Sequence, residues 1–153
     1  MSSVDFKNSD DGSVGQSLVT RDLLYRSLFE HALVEVHIWE VVRNPQGAIV
    51  TWRLVDANAA ALRSWGRALE DIVGRTADEV FPGSDAVRTF RPMVEEIMAT
   101  GMPKEWQITF GGTDQVLQMI SIPVGEYFVS TGFDVTSDRV RERRLQDTLH
   151  SLN

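Results

Sequence analysis

The pattern of apolar and polar residues changes period several times along the chain, and each change predicts where one element ends and the next begins. Apolar residues recur at helical spacing after Thr20, and Leu24, Leu28 and Phe29 share one face, so a leading helix is predicted over about residues 21 to 32. Thr20 is the predicted N-cap of this helix. The preceding residues, 1–19, are mostly polar or acidic and are expected to form a disordered tail or linker.

Two stretches of β-branched and aromatic residues predict a β-hairpin. They are Val34–Val42 and Ile49–Val55, and the turn signal Asn44-Pro45-Gln46-Gly47 separates them. Glu40 is charged and is expected to face solvent, so the other face of the first strand is predicted to face the interior. Alternation then predicts two sets of inward residues, which are His37, Trp39 and Val41 on the first strand and Val50, Trp52 and Leu54 on the second.

Three short helices and one longer helix are predicted after the hairpin. In order, they are Ala57–Trp65, Leu69–Val73, a helical turn that starts at Thr76, and about residues 89 to 100. Asp56 is the predicted N-cap of the first helix and Gly66 its end. Thr76 and Glu79 have the spacing of a capping box. The longest helix is expected to hold Pro92 in its first turn and to bury three apolar residues, Val94, Ile97 and Met98.

Three further strands with short connections complete the predicted sheet. They are Lys104–Phe110, Gln115–Ile122 and Tyr127–Phe133. Five strands, with all short helices in one crossover, predict an α+β fold: one five-stranded antiparallel sheet with helices packed on one face and a helix at each terminus. The last helix, Arg139–Leu149, is charged, and a short series of apolar residues begins an a/d seam: Leu145, Leu149 and Leu152.

Composition narrows the function classes. The 153 residues fit one domain, and no apolar run approaches the roughly 20 residues that span a bilayer. The polar, acidic N-terminus does not have the pattern of a signal peptide. A net charge of −7 disfavours nucleic-acid binding, because the only dense basic cluster is the short run RVRERR. The chain has no cysteine, which excludes disulfides and thiolate chemistry.

The sequence carries no pattern that is typical of a catalytic or metal site. There is no Gly-x-Ser-x-Gly elbow, and Gly111-Gly112 is expected in a hairpin loop instead of at the start of a phosphate-binding helix. The carboxylate pairs fall on predicted helix surfaces, and no histidine has the spacing of a metal ligand set. We therefore predict that the chain is not an enzyme and binds no metal.

Four motifs in this order resemble the PAS domain family over about residues 22 to 145. The first is Asp56-Ala57-Asn58-Ala59-Ala60 leading to Trp65-Gly66, and the second is Leu69-Glu70-Asp71-Ile72-Val73-Gly74-Arg75. The third is Ala99-Thr100-Gly101 at the end of the long helix, and the fourth is Phe133-Asp134-Val135-Thr136 followed by Arg139. The resemblance implies a cytoplasmic sensory module of a bacterial-type signalling protein.

The resemblance also implies a small-molecule site between the inner sheet face and the helical block. The candidates for lining it are His37, Trp39, Trp52, Asn58, Leu62, Trp65, Ile97, Trp106, Ile108, Phe110, Met119 and Ser121. Each aromatic residue fits an ordinary core as well as a pocket, and His37 fits a hydrogen-bonded core residue as well as a ligand contact. An acidic ligand would need a basic partner, for which the candidates are Arg63, Arg88 and Arg91.

The identity of a cofactor stays open. The missing cysteine excludes the cysteinyl-flavin branch of the family, and haem is disfavoured because residues 89–100 contain no histidine. A small aromatic or acyl ligand is the main expectation. The alternatives are a ligand-free module for dimerisation or protein interaction and a redox sensor that holds flavin noncovalently.

The resemblance divides the chain functionally at the last strand. Residues 1–19 are the tail, 20–136 the sensor domain, and 137–153 the start of a signalling helix. Asp134, Thr136 and Arg139 form the expected junction, in which Asp134 pairs with Arg139. The implied partners are a second copy of the chain and an attached output domain, a histidine kinase of a two-component system or a cyclic-dinucleotide enzyme.

Overall fold

The computed structural model describes residues 7–109 and 115–152. It contains six helices and five strands in these ranges. In chain order, they are α1 (Lys7–His31), β1 (Glu35–Arg43), β2 (Ile49–Ala57), α2 (Ala59–Trp65), α3 (Leu69–Ile72), α4 (Ala77–Val80), α5 (Ala86–Thr100), β3 (Lys104–Thr109), β4 (Val116–Val124), β5 (Tyr127–Asp134) and α6 (Thr136–Ser151).

The five strands form one antiparallel sheet in the order β2-β1-β5-β4-β3. The predicted α+β class and the predicted order of elements are confirmed. The hairpin connections are short, and only the crossover between β2 and β3 is long. This crossover contains α2 to α5, which cover one face of the sheet. The hydrophobic core lies between these helices and the inner face, which places the first and last strands of the chain side by side at the centre.

Alternation identifies the inner face correctly for most of the hairpin. His37, Trp39 and Val41 are buried, as are Trp52 and Leu54. The prediction for Val50 is wrong: it is 39% exposed, and the adjacent Ile49 is buried instead. A register shift between Val42 and Arg43 changes the phase of the pairing at this end of the hairpin.

Three helices, α1, α5 and α6, begin earlier than predicted. The leading helix starts at Lys7, so Thr20 lies inside the helix and is not its N-cap, and the helix continues through much of the predicted tail. Once a helix is nucleated, each added residue contributes one hydrogen bond, which permits such an extension. The helix predicted from residue 89 starts at Ala86, which is buried against the core. Pro92 therefore lies beyond the first turn.

The N-cap of α2 is Asn58 and not Asp56. Asp56 still belongs to β2, where its carboxylate accepts a hydrogen bond from the N–H of Ala57 at 2.9 Å. Asn58 Oδ1 accepts from the N–H of Ala61 at 3.0 Å. The predicted end of this helix is confirmed, because Gly66 adopts a left-handed conformation with φ of 65°.

The remaining boundaries agree closely with the sequence pattern. The capping box of α4 is present, and the Glu79 carboxylate accepts from the Thr76 hydroxyl at 2.8 Å. The last helix, α6, starts at Thr136, three residues before the predicted range, and its side chains from Asp138 onward are exposed. Within the described residues, none of the helices combines the length and apolarity needed to cross a bilayer.

Candidate ligand cavity

A cavity of about 720 Å³ lies between the inner sheet face and the helical block. This volume is within the range of about 300 to 1,000 Å³ that is typical of small-molecule sites. All four tryptophans of the chain line it. Of the residues predicted as candidates, the structure brings these together around the cavity: His37, Trp39, Trp52, Trp65, Trp106, Ile108 and Met119.

Five predicted candidates lie elsewhere or are not described. Asn58 and Leu62 border a separate groove between α1, α2 and the outer face of β1. Ile97 is fully buried in the hydrophobic core, and Ser121 is fully buried on the inner face of β4. Phe110 lies outside the described residues. The sequence pattern identifies inward positions, but it does not distinguish positions beside a cavity from positions in a filled core.

Asn58 holds the entry of α2 against β1. Its amide oxygen accepts hydrogen bonds from the N–H groups of Val36 and Ala61, both at 3.0 Å, and its amide nitrogen donates to the Val34 carbonyl at 2.9 Å. The side chain is 1% exposed, so these bonds form away from water. The role of Asn58 is to fix the helix to the strand that carries His37.

An aromatic cluster forms one side of the cavity. The rings of Trp65 and Phe81 meet edge to face with centroids 5.1 Å apart, and the His37 ring lies 5.0 Å from that of Trp65. Trp39 is 6.1 Å from Phe81. These distances are in the range of favourable aromatic pairs, and the resulting wall is apolar and polarisable.

A second aromatic pair faces the cavity from the other edge of the sheet. The rings of Phe90 on α5 and Trp106 on β3 have centroids 4.8 Å apart. The Trp106 indole donates to the Ser121 hydroxyl at 2.8 Å, and that hydroxyl bonds to the Ser130 hydroxyl at 2.7 Å. Ser130 lines the cavity, so this chain holds one hydroxyl in a set position at its floor.

The protonation state of His37 is determined by its neighbour. Trp39 donates its indole N–H to His37 Nδ1 at 2.6 Å. Because an indole nitrogen can only donate, Nδ1 must be the unprotonated nitrogen, and the proton of neutral His37 lies on Nε2. Burial lowers the pKa of His37 to about 3, because the charged form loses its hydration. At neutral pH, His37 therefore presents a neutral N–H donor.

Glu35 is a lining residue that the sequence pattern did not reveal. It lies two residues before His37 on the same face of β1, and its side chain is buried. Burial raises the pKa of Glu35, a hydrogen bond from the Ser64 side chain opposes this change, and the charge of Asp134 adds to it. The alternation that identified His37 also reaches residue 35, but a carboxylate is normally assigned to the solvent side.

The helical block supplies further lining residues that were not predicted as candidates. They include Phe81, Thr89 and Phe90. Their positions follow from the earlier start of α5 and from the loop before it. A long crossover in which short helices alternate with loops has no single period, so pattern analysis cannot phase these residues.

The described lining contains no lysine or arginine. Arg63, Arg88 and Arg91, the proposed partners of an acidic ligand, are exposed, and none of them lines the cavity. Arg91 instead donates to the Val50 carbonyl at 3.3 Å. The charged and polar groups of this cavity therefore suit a ligand without a carboxylate or phosphate group.

No potential metal site is found in the parts of the chain that the structure describes. Within residues 7–109 and 115–152, three or more histidine or acidic side chains never converge as a ligand set. His31 and His150 are exposed on α1 and α6. His37 lies in the cavity, but Trp39 occupies its Nδ1, and α5 has no histidine to serve as an axial ligand from the helical side.

The junction between β5 and α6 is held by local hydrogen bonds. Asp134 Oδ1 accepts from the Thr136 N–H at 2.8 Å and also from the Thr136 hydroxyl. These bonds lower the pKa of Asp134. The Thr136 hydroxyl oxygen in turn accepts from the Val116 N–H at 2.9 Å, and Gln115 donates to Asp134 Oδ2 at 3.2 Å. The first turn of α6 is thereby attached to the start of β4.

The expected ion pair between Asp134 and Arg139 is absent from the described contacts. Arg139 lies one turn into α6, where its guanidinium is 3.7 Å from the Glu142 carboxylate. Both oxygens of Asp134 are engaged by Thr136 and Gln115. The prediction of an Asp134–Arg139 pair is therefore wrong, because the hydroxyl at position 136 is closer along the chain and satisfies the carboxylate.

Comparisons with known proteins give structural neighbours only. No protein-family model and no curated protein matches the chain. An RNA-binding light-oxygen-voltage receptor superposes with a TM-score of 0.59 at 22% identity, covering 89% of this chain and 38% of the receptor. The PAS domain of an HTR-like protein from Haloarcula marismortui has a TM-score of 0.53 at 12% identity, covering 80% of this chain and 98% of that domain.

A domain of a sensory box sensor histidine kinase/response regulator from Geobacter sulfurreducens is a further neighbour. It has a TM-score of 0.51 at 16% identity, and the match covers 76% of this chain and 96% of that domain. At such identities, the agreement concerns the fold. The prediction that the chain is not itself an enzyme stays a prediction. The chain spans about two fifths of the light-oxygen-voltage receptor.

Proposed function

We propose that this chain, which has the fold of PAS and light-oxygen-voltage domains, is a sensory module that binds a small organic ligand in the cavity between its sheet and its helices. The observation that carries the proposal is the cavity itself, which is lined by all four tryptophans and has Glu35 and His37 on its floor. A cavity of this volume is comparable to known ligand sites.

The buried polar groups support a ligand site over a filled core. Burying a polar group without a partner costs free energy, so a core that serves only packing is normally apolar at these positions. No residue that the structure describes accepts a hydrogen bond from His37 Nε2, although Nδ1 is satisfied. This N–H beside the cavity is suited to donate a hydrogen bond to an acceptor atom of a ligand.

The geometry also offers a route from the cavity to α6. Phe128 and Ser130 line the cavity on β5, and Asp134 ends the same strand. A ligand that displaces β5 would therefore act on the hydrogen bonds among Asp134, Thr136 and Val116. In the proposed mechanism, these bonds couple cavity occupancy to the orientation of α6, and the sensor ends near residue 136.

The proposed output is an attached signalling domain in the cytoplasm, either a histidine kinase of a two-component system or a cyclic-dinucleotide enzyme. The support is the resemblance in sequence motifs and the fold shared with a domain of a sensor histidine kinase. The helix α6 carries exposed residues at the spacing of a seam, Leu145 and Leu149, each 64% exposed. Such a helix can continue into a coiled coil that leads to the output.

A second candidate function is dimerisation without a ligand. The observation that favours it is the row of exposed apolar residues on α1, which includes Leu24 at 59% and Leu28 at 68%. A homodimer through this helix and the sheet is also compatible with sensing. Sedimentation should show a dimer that Leu28→Asp weakens, and a monomer at high concentration would contradict this interface.

Native mass spectrometry and an absorption spectrum of the purified chain test ligand binding. Thr89 and the adjacent Arg88 are both exposed, but only Thr89 lines the cavity, from α5. We expect a retained small molecule in wild type and in the control Arg88→Trp, and its loss in Thr89→Trp, which adds an indole to the lining of the cavity.

Two other results would favour the dimerisation module or the redox sensor. Wild-type protein that retains no molecule and gives no saturable binding of neutral aromatic probes would contradict sensing and favour the dimerisation module. Absorbance in the flavin bands would indicate the redox-sensor alternative.

A further inference from the structure

The polar groups of the cavity are concentrated on two adjacent central strands. Glu35 and His37 lie on the inner face of β1, and Ser130 lies directly opposite His37 on β5. Residues two apart on a strand have Cα atoms about 6.6 Å apart on the same face, so Glu35 and His37 can both reach one ligand above them. The walls around this floor are aromatic.

The two β1 groups have opposite hydrogen-bonding character. His37 can only donate toward the cavity, because the Trp39 indole occupies Nδ1 at 2.6 Å and the proton lies on Nε2. An ionised Glu35 can only accept. With Glu35 ionised, the lining therefore suits a ligand that offers a donor to Glu35 and an acceptor to His37.

Ligand classes differ in how many of these requirements they meet. A ketone or ester satisfies His37 but offers no donor to the Glu35 carboxylate beyond the one from Ser64. An amine satisfies Glu35 and leaves the His37 donor unpaired. A carboxylate or phosphate would be placed beside Glu35 with no basic residue in the described lining. A lactam carries an N–H next to a carbonyl oxygen, and it meets both requirements without a net charge.

We infer that the cavity recognises a planar, uncharged aromatic lactam, with Glu35 accepting from the ring N–H and His37 Nε2 donating to the adjacent carbonyl. The flat ring then lies against the aromatic wall of Trp65 and Phe81. Burial raises the pKa of Glu35, and a bound N–H donor stabilises its ionised form. This inference rests on the proposed small-molecule function and specifies its ligand class.

Calorimetric titration with two matched probes tests the inference. The first probe, 2-quinolone, has the lactam N–H, and the second, 1-methyl-2-quinolone, has the same ring and carbonyl without that donor. We expect the methylated probe to bind wild type on the order of tenfold or more weakly, since Glu35 then receives no hydrogen bond from the ligand. In Glu35→Leu, the ratio of the two dissociation constants should fall to within about threefold.

A variant of His37 tests the second half of the recognition. In His37→Asn, the side-chain oxygen takes the place of Nδ1 and keeps an acceptor for the Trp39 indole, but the Nε2–H donor is lost. Both quinolones should then bind more weakly by a similar factor, because both use the carbonyl. Amide NMR spectra establish that each variant is folded. Glu35→Gln is a second variant, with a smaller change of side chain at position 35.

The outcomes separate this inference from the proposed function. If both quinolones bind equally to wild type, or their ratio is unchanged in Glu35→Leu, the lactam assignment is overturned while a small-molecule site stands. Tighter binding of quinoline-2-carboxylate than of 2-quinolone would also overturn it. If none of the three probes binds and the purified chain retains no small molecule, the proposed function fails together with the inference.

Discussion

Trp39 donates its indole N–H to Nδ1 of His37 at 2.6 Å, and the two residues lie on the same face of one strand. The bond gives a buried tryptophan its partner and leaves a neutral histidine with a single proton on Nε2. His37 is therefore neither a packing residue alone nor a titrating group at neutral pH. It is a fixed donor in the floor of the cavity.

The pH dependence of stability should reveal this neutral histidine. The pKa of His37 is lowered by burial from 6.5 to about 3, so in that interval the unfolded chain binds a proton that the folded chain does not. The free energy of unfolding should thus fall by about 1.4 kcal/mol for each pH unit below about 6.5, and this term should be constant above it. Urea unfolding at several pH values measures it.

The matched control is His37→Asn, which keeps an acceptor for Trp39 and does not titrate. The raised pKa of Glu35 contributes in the opposite direction, because its stabilisation is lost as pH rises. The Glu35 contribution is present in both wild type and His37→Asn. The difference between their pH slopes therefore reports His37 alone. Equal slopes for the two proteins between about pH 5 and 6.5 would show that His37 protonates in the folded state.

Asn58 should be more important for stability than a typical helix cap. Its buried amide makes three hydrogen bonds that join β1 to α2. We expect Asn58→Ala to lower the free energy of unfolding by about 3 kcal/mol, since buried backbone groups lose their partners. Asp56→Ala is the control and should cost about 1 kcal/mol or less, because Asp56 does not cap α2. Equal losses in urea unfolding would contradict the assigned cap.

Gly132 should not tolerate a side chain. It lies on β5 opposite Met119 of β4, and a Cβ there would collide with the Met119 sulfur and the Gln118 carbonyl oxygen. Gly132→Ala should therefore destabilise the fold by about 1 to 3 kcal/mol. Thr131→Ala, on the opposite face of the same strand, provides a comparison, and thermal unfolding measures both. A Gly132→Ala protein as stable as wild type would show that the two strands are further apart.

The first turn of α6 should depend on Asp134 and not on Arg139. Asp134→Ala removes the acceptor for the Thr136 N–H, a loss of about 1 kcal/mol, so amide hydrogen exchange in that turn should accelerate roughly fivefold. Asp134→Asn retains an acceptor oxygen and should behave like wild type. Arg139→Ala should have no effect, because its exposed contact with Glu142 contributes little. Faster exchange in Arg139→Ala would restore the predicted ion pair.

The sequence predicted the inner face of β1 because strand alternation is strict wherever one face is buried. It also predicted the ends of helices at Gly66 and Gly101, where a left-handed backbone is required. These features depend on neighbours along the chain. The fold class followed from them, because short connections leave few arrangements for five strands.

The features that escaped prediction depend on contacts across the chain. Glu35 is inward because Trp39 and Val41 fix the phase of β1, although its own charge favours solvent. The bulge after Val42 reversed the position of Val50. The partner of Asp134 was misassigned because Thr136 gains its second hydrogen bond from Val116, which is distant in sequence. Local pattern contains no information about these pairings.

The most direct test of small-molecule sensing is to follow the tryptophan indole N–H signals by NMR while 2-quinolone is added. All four indoles line the cavity, so each reports its occupancy. The proposal predicts saturable shifts of these signals in wild type and in Arg88→Trp, their loss in Thr89→Trp, and accompanying shifts of the Thr136 and Val116 amides. Indole signals that stay unchanged up to the solubility limits of 2-quinolone, 1-methyl-2-quinolone and quinoline-2-carboxylate, in protein shown to carry no bound molecule, would contradict it.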